Sequence, residues 1–427
     1  MKINVVGGGL AGVEAAWKLA NRNIPVTLYE GKPEVFSPAH HSPYLAELVC
    51  SNSLKSNDVY GNACGLLKEE MRLLGSLTME AAKVSRVPAG GALAVDRDSF
   101  SAYITEKIQA HPLITLERKK IDCIPEDGIC VLATGPLTQG ALAEEISSLL
   151  GALHFYDASA PIVSAESIDW DKTFIADRYG KGSGDYVNCS MNKEEYEAFW
   201  NALVTAERAT LRDFEKREIF DGCMPVEIMA SRGMDTLRFG MLKPVGLYDR
   251  EGKRPYAVLQ LRKEDSAGSS YNLVGFQTNL KFGEQKRVFS MIPALRNAEF
   301  LRYGVMHRNT YLPAGSLRSD FSCKKRENLY FAGQITGVEG YVESAMSGLL
   351  TGIHIARRLE GLPPLTLDNT TVCGALSSYI AAEHTDFQPM NANYGILTPL
   401  NERDKAEKKR KMGVRALEAI RQTGESI

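Results

Sequence analysis

No apolar run in the chain approaches the roughly 18 residues that a membrane-spanning helix requires. The apolar start MKINVVGGGLAG is interrupted by a glycine triplet where the core of a secretion signal would be continuous. An excess of charge of either sign is also missing: 50 Lys and Arg stand against 52 Asp and Glu, a formal net charge of -2, so a polyanionic partner can be met only by local patches. The eight cysteines, at 50, 64, 123, 130, 189, 223, 323 and 373, form no C-x-x-C pair and no zinc-like spacing. The seven histidines add no metal pattern, and the adjacent His40 and His41 read as part of a loop. A chain of 427 residues buries enough surface to do without disulfide staples, so the thiols are expected to be reduced. These absences point to a soluble cytoplasmic protein with no bound metal and no membrane association. Its length predicts two domains or one domain with a large insertion.

What is present begins at the N-terminus. INVV (3–6) predicts a short strand, GGGLAG (7–12) a glycine turn, and VEAAWKLANR a helix with Leu10, Val13, Trp17 and Ala20 on one side. Gly7 suits the tight turn, Gly9 lets the backbone approach a pyrophosphate, and Gly12 allows close helix–strand packing; Gly8, Leu10 and Ala11 complete the loop. IPVTLYE (24–30) predicts the second parallel strand, ending in Glu30, eighteen residues after Gly12, where a carboxylate meets ribose hydroxyls. VLATG (131–135) is an apolar strand breaking at glycine, with Ala133, Thr134 and Gly135 at the turn. ENLYFAGQITGVEGYVESAMSGLLTGIHIARRL (327–359) reads as strand, glycine-rich turn and long helix, bringing Gly333, Gln334, Gly340 and Tyr341 to the same site. A nicotinamide dehydrogenase has no need of this late segment, whereas a flavoprotein uses one to close its cofactor site, so FAD is expected. Gln334 stands where the common flavoprotein pattern has Asp.

The segments MKINVVGGGLAGVEAAWKLA, ELVCSNSLKS (47–56), VPAGGALAVDRDSFS (87–101), VLATGPLT (131–138), DGCMPVEIMASRGMDTLRFGMLKPVGL (221–247), NAEFLRYGVMHRNTY (297–311) and FAGQITGVEGYVESAMSGLL (331–350) together resemble the TrmFO family. Its members are folate- and FAD-dependent tRNA uracil-5 methyltransferases, related to the GidA/MnmG proteins, which share the glycine motifs but are typically much longer. The resemblance runs into FQPMNANYGIL (387–397). It implies an α/β fold: a Rossmann-like FAD-binding domain of the GidA and glutathione-reductase type, over 1–170 and 305–400. A mixed α+β insertion domain over 171–304 and a basic helical tail over 401–427 complete the expected organisation. The implied reaction methylates C5 of a uridine, at position 54 in the tRNA T-loop, with 5,10-methylenetetrahydrofolate as carbon donor, FADH2 as reductant and NADH or NADPH as electron source.

The chemistry of the thiols follows from uracil itself. C5 is a poor nucleophile until something adds at C6, and a thiolate both adds and leaves near neutral pH. Cys223, between Asp221 and Pro225, is the candidate C6 nucleophile; Cys50, in ELVCSNSLKS, is the second catalytic candidate, implied by the resemblance to lie near the flavin. The other six cysteines read as structural. His307, Asn309 and Glu343 are candidates to meet the pterin, with Glu339 a weaker one. Arg232, Arg238, Lys243 and Arg262 could track RNA phosphates. The tail carries eight Lys/Arg against five Asp/Glu over 401–427, and KAEKKRK reads as a solvated helix face. A ribosomal RNA uridine as target, a non-catalytic FAD- and RNA-binding protein, and a flavin oxidoreductase acting on small molecules stand as alternatives; protein partners are not legible.

Overall fold

The computed structural model describes residues 2–37, 39–180, 184–209, 224–265, 267–385 and 387–425, and of residues 153–158, 180, 307 and 308 the backbone alone. INVV forms the strand Ile3–Val6, buried along its whole length. It is the middle of a five-stranded sheet in the order Leu329–Phe331, Ile129–Leu132, Ile3–Val6, Val26–Glu30, Ile114–Arg118. Every pairing in it is parallel. A parallel sheet is covered on both faces, which is why ICVL and LYF read as unbroken apolar runs and are buried throughout.

Helix Leu10–Asn21 leaves the first strand through the glycine turn and lies against the long helix Tyr341–Leu359. Glycine sets how closely they approach: a Cβ at Gly348 would sit 2.0 Å from the Ala11 carbonyl oxygen, and one at Gly352 3.0 Å from that of Ala15. Around them one hydrophobic core gathers residues from 3–150 and 312–420. Met412, Ala416, Leu417 and Ile420 of helix Lys405–Gln422 belong to it, so the basic C-terminal run lies on a helix whose inner face is anchored. In the same core the buried Glu70 carboxylate accepts the N–H groups of Val372 and Cys373, each at 2.8 Å, at the start of helix Val372–Ala381. Burial pushes the Glu70 carboxyl up to about 7 against these two bonds.

The chain leaves this core along Leu153–Ala158 and returns along Met306–Tyr311, two strands that pair antiparallel. Between them lies a second core over a six-stranded sheet, in the order Thr173–Ile175, Tyr186–Met191, Ala257–Lys263, Ser270–Leu273, Ile162–Ser164, Phe300–Arg302, antiparallel at every pairing. Helix Lys193–Thr205 opens on a capping box between Asn192 and Glu195. It sends Phe199 against Phe276, ring centres 6.0 Å apart, and Phe276 meets Phe289 edge-on at 5.2 Å. The apolar run YNLVGFQTNL (271–280) enters the sheet only as far as Leu273. Gly275, at φ +81°, turns the chain with the Met241 side chain packed where its Cβ would point.

Of the six cysteines read as structural, Cys64, Cys130, Cys189, Cys323 and Cys373 are buried. Burial pushes the Cys64 thiol up to about 11 and that of Cys130 up to about 12. Cys123 is exposed and belongs to neither core.

Candidate active site

Ligands of open parallel sheets bind outside the carboxyl ends of the strands. There the fold leaves a cavity of about 510 Å3. The sequence-expected residues Gly7, Gly8, Gly9, Leu10, Ala11, Glu30, Ala133, Thr134, Gly135, Gly333, Gln334 and Tyr341 line it; Gly12 and Gly340 do not. The glycines divide by what surrounds them. A Cβ at Gly12 would lie 1.8 Å from the Gly7 carbonyl oxygen, and one at Gly7, held at φ +106°, would lie 2.4 Å from that of Ala133. These two therefore hold the turn and strands together. A Cβ at Gly9 would meet no protein atom within 4 Å, because it points into open space. Gly9 also caps helix Leu10–Asn21 without a side-chain bond, which leaves the first-turn N–H groups for an anion.

The Glu30 carboxylate is fixed at the cavity wall by the N–H groups of Gly8 and Lys32, each at 2.9 Å. Composition and motif did not single out its neighbours. Lys32 Nζ donates to Glu47 at 3.1 Å and to the Tyr44 carbonyl at 2.6 Å, and Lys32, Ser37, His40 and Glu47 all line the cavity beside Glu30. Burial and the Lys32 ammonium push His40 down, keeping its ring neutral at neutral pH. Elsewhere on the cavity wall the Gln334 amide nitrogen donates to both oxygens of Glu339 at 2.8 Å and to the Tyr311 hydroxyl at 2.9 Å, and that hydroxyl also bonds Glu339. The amide that replaces the usual carboxylate is thus tied by its nitrogen to a buried Glu–Tyr pair.

Cys50 meets the cavity through Tyr341. Its Sγ is 2.9 Å from the Tyr341 hydroxyl, which also accepts the N–H of Cys50 at 2.7 Å and that of Ser51 at 3.3 Å. Burial and the adjacent thiol raise the Tyr341 phenol well above its ordinary value. The loop carrying Cys50 is clamped from both sides. Arg97 donates to the carbonyls of Leu48 at 2.8 Å and Val49 at 3.3 Å and pairs with Glu264 at 2.6 Å. Arg262 donates to Asn52 Oδ1 at 2.9 Å and Ser51 Oγ at 2.8 Å, and Asn52 Nδ2 donates to the Lys263 carbonyl at 2.8 Å. Arg262 therefore does not face solvent as a phosphate-tracking residue would: it is 6% exposed and holds the two cores together at the Cys50 loop.

Glu343 is fully buried and outside the cavity wall. It pairs with Lys55 at 3.2 Å and accepts the Ala392 N–H at 3.0 Å. A Cβ at Gly340 would lie 2.3 Å from its carboxylate and 2.8 Å from Lys55 Nζ, so this ion pair packs on the turn that opens the long helix. Asn309 is buried in the strand Met306–Tyr311; the His307 side chain and all of Cys223 lie outside the described residues. Among the RNA candidates, Arg232 is exposed. Arg238 lies over the Tyr256 ring at 3.6 Å, and Lys243 is half-buried near it.

A cavity walled by a glycine turn, the end of a second parallel strand and a late strand–turn–helix segment defines a dinucleotide-binding protein of the two-segment flavoprotein class, and its dimensions and open helix N-terminus suit FAD. The family model described as "Glucose inhibited division protein A" matches residues 2–363. A protein of Acetivibrio thermocellus named methylenetetrahydrofolate–tRNA-(uracil-5-)-methyltransferase TrmFO is 56% identical over 427 residues, covering 98% of each chain. One of Listeria innocua with the same name is 54% identical, covering 100% of this chain and 99% of its own. The crystal structure of Aquifex aeolicus GidA shares the fold with a TM-score of 0.71 at 15% identity, over 99% of this chain and 73% of that one. The chain belongs to the TrmFO family within the glucose-inhibited division protein A group.

Proposed function

We propose that the protein methylates C5 of a tRNA uridine, in the T-loop, with 5,10-methylenetetrahydrofolate as carbon donor and NADH or NADPH as electron source. The observation that carries this reading is the match along the whole chain to relatives named for that activity. The reading assigns the FAD-binding domain to 1–170 and 305–400 and the insertion domain to 171–304; the two hydrophobic cores support this division except at its first boundary, since Val163 and Ile168 already belong to the second core. It places the protein in the cytoplasm, where its substrate is made; among the described residues no helix is long and apolar enough to cross a membrane.

The open N-terminus of helix Leu10–Asn21 would hold the pyrophosphate of FAD and Glu30 a ribose hydroxyl, with Ala133–Gly135, Gly333, Gln334 and Tyr341 lining the rest of the cavity. A reduced flavin held there would supply the reducing equivalents for the methyl group. The chain's own chemistry belongs to its thiols. Cys223 forms a bond from sulfur to C6 of the uracil, which makes C5 nucleophilic toward the one-carbon unit; when the C5 proton has gone, the sulfur–C6 bond breaks and the thiolate is recovered. The reading gives Cys50, whose Sγ lies beside the Tyr341 hydroxyl, the assisting role at C5. His307 and Asn309 are assigned to the pterin. Glu343 acts on it only through Lys55 and the turn at Gly340.

A tRNA carrying 5-fluorouridine tests the thiol, because fluorine cannot depart from C5 as a proton does. The parent protein should form a stable covalent adduct, and Cys223→Ala should retain FAD but form none. An adduct formed as readily by Cys223→Ala, or normal methylation by both Cys223→Ala and Cys50→Ala, overturns the assignment.

A further inference from the structure

The second core carries a cationic and aromatic hollow of about 300 Å3, lined by Arg238, Phe239, Lys243, Arg254 and Tyr256 among others. Among the described residues no carboxylate lines it. The Arg238 guanidinium lies over the Tyr256 ring at 3.6 Å and is held there by its bonds to the Tyr256 carbonyl at 3.1 Å and to Asp235 at 2.5 Å. Lys243 and Arg254 make no ion pair and no side-chain hydrogen bond among the described residues. Lys243 is half-buried, its stem packed at the hollow. Phe239, at the end of helix Thr236–Phe239, is 81% exposed at the rim. A chain whose total formal charge is -2 thus concentrates three cations around one concavity and leaves a phenyl ring beside them in water.

Uncompensated cations in a hollow with an exposed ring at its edge match the chemistry of an unpaired stretch of RNA, whose phosphates carry the charge and whose bases offer flat faces. A protein partner would have to bring acids and an apolar edge together in the same small space, and double-stranded RNA offers no free base to the ring. The segment that builds the hollow, 236–256, also follows closely on Cys223 in the chain. We propose that this hollow is a second contact for the tRNA substrate: phosphates next to an unpaired loop nucleotide sit on Lys243 and Arg254, and its base stacks on Phe239. The site rests on the tRNA reading above and deepens it. It positions the RNA and takes no part in the chemistry.

The test uses the full-length FAD-loaded protein and unmodified tRNA transcript, with Kd measured across a series of salt concentrations. Lys243→Gln with Arg254→Gln should weaken binding about tenfold or more and reduce the slope of log Kd against log salt by about 0.7 to 0.9 for each charge removed. Phe239→Ala should weaken binding roughly five- to a hundredfold and leave the slope unchanged, since a stacked base is neutral. FAD content and NADPH oxidation without RNA should match the parent in every variant. A control pair on the same domain, Lys286→Gln with Arg296→Gln, should bind as the parent does. Parental Kd and slope in the hollow variants, or an equal loss in the control pair, would overturn the site while leaving the tRNA reading standing. A parent protein that binds no tRNA would remove both.

Discussion

Gly348→Ala sets two known effects against each other. In a helix interior, alanine is more favourable than glycine by about 1 kcal/mol, so propensity alone predicts a stabilised protein. The packing says otherwise. The new Cβ would lie 2.0 Å from the Ala11 carbonyl oxygen and 2.6 Å from the carbon and Cα of that residue, all backbone atoms with no rotamer to yield. Ordinary contact begins at 3.4 Å, so the helices Leu10–Asn21 and Tyr341–Leu359 must part by about 1.4 Å at that point. Overpacking a tight core typically costs 1–3 kcal/mol; with backbone on both sides the upper end applies, and the net loss is about 2 kcal/mol. Gly352→Ala is the graded partner, since its Cβ would lie 3.0 Å from the Ala15 carbonyl oxygen and needs only a few tenths of an ångström. Its two effects should nearly cancel. Ala11 also lines the cofactor cavity, so Gly348→Ala should lose flavin as well as stability. Thermal midpoint and flavin absorbance of the purified variants measure both. A Gly348→Ala protein as stable as the parent with full flavin would refute the reasoning from helix contact.

Three further outcomes follow from the Cys50 loop and the buried carboxylates. Arg97→Met leaves Glu264, 5% exposed in its side chain, without its cation and should cost about 3–5 kcal/mol in a urea titration, with Arg97→Met/Glu264→Met recovering most of it; a single variant within 1 kcal/mol of the parent would contradict a buried pair. Tyr341→Phe removes the acceptor for the N–H groups of Cys50 and Ser51 at a cost of about 1–3 kcal/mol. It should retain FAD, speed alkylation of Cys50 and slow methylation; an unchanged alkylation rate would show that the hydroxyl does not hold the loop. Glu70, raised to about 7 by burial, keeps its proton in the folded protein over a range where the unfolded chain has lost it. Its contribution is complete below pH 4.5 and is lost as pH rises through about 7, roughly 3 kcal/mol in all. Glu70→Gln should flatten the fall in thermal midpoint between pH 5 and 8; parallel curves for parent and variant would count against it.

The glycine turn was legible because a particular backbone geometry demands glycine at particular spacings, and Glu30 because a parallel strand of set length must end there. The long helix was legible as the run that follows the glycine-rich turn, and its small residues Gly348 and Gly352 have their reason in the contact with Ala11 and Ala15. Side-chain partners far apart in sequence were not. Arg262 read as a surface cation because nothing near it in the chain shows that Ser51 and Asn52 arrive from more than two hundred residues away. The partners of Glu343 and Gln334 were hidden for the same reason: Lys55 reaches Glu343, and Tyr311 joins Glu339 on the Gln334 amide, only in the fold. The apolar pattern of 271–280 runs on past the point where the strand ends, because the backbone turns at Gly275. Arg254 gave no motif at all, and only the concavity it shares with Lys243 and Phe239 singles it out.

The central claim is that carbon passes from folate to C5 of a tRNA uridine on this protein. Unmodified tRNA transcript incubated with the FAD-loaded protein, NADPH and methylenetetrahydrofolate labelled in its methylene carbon, followed by mass analysis of the digested RNA, tests it directly. The account predicts labelled 5-methyluridine at a single T-loop position, dependent on Cys223 and indifferent to added S-adenosylmethionine. Label that enters RNA only from S-adenosylmethionine, or none at all from folate with FAD and reductant present, would contradict it.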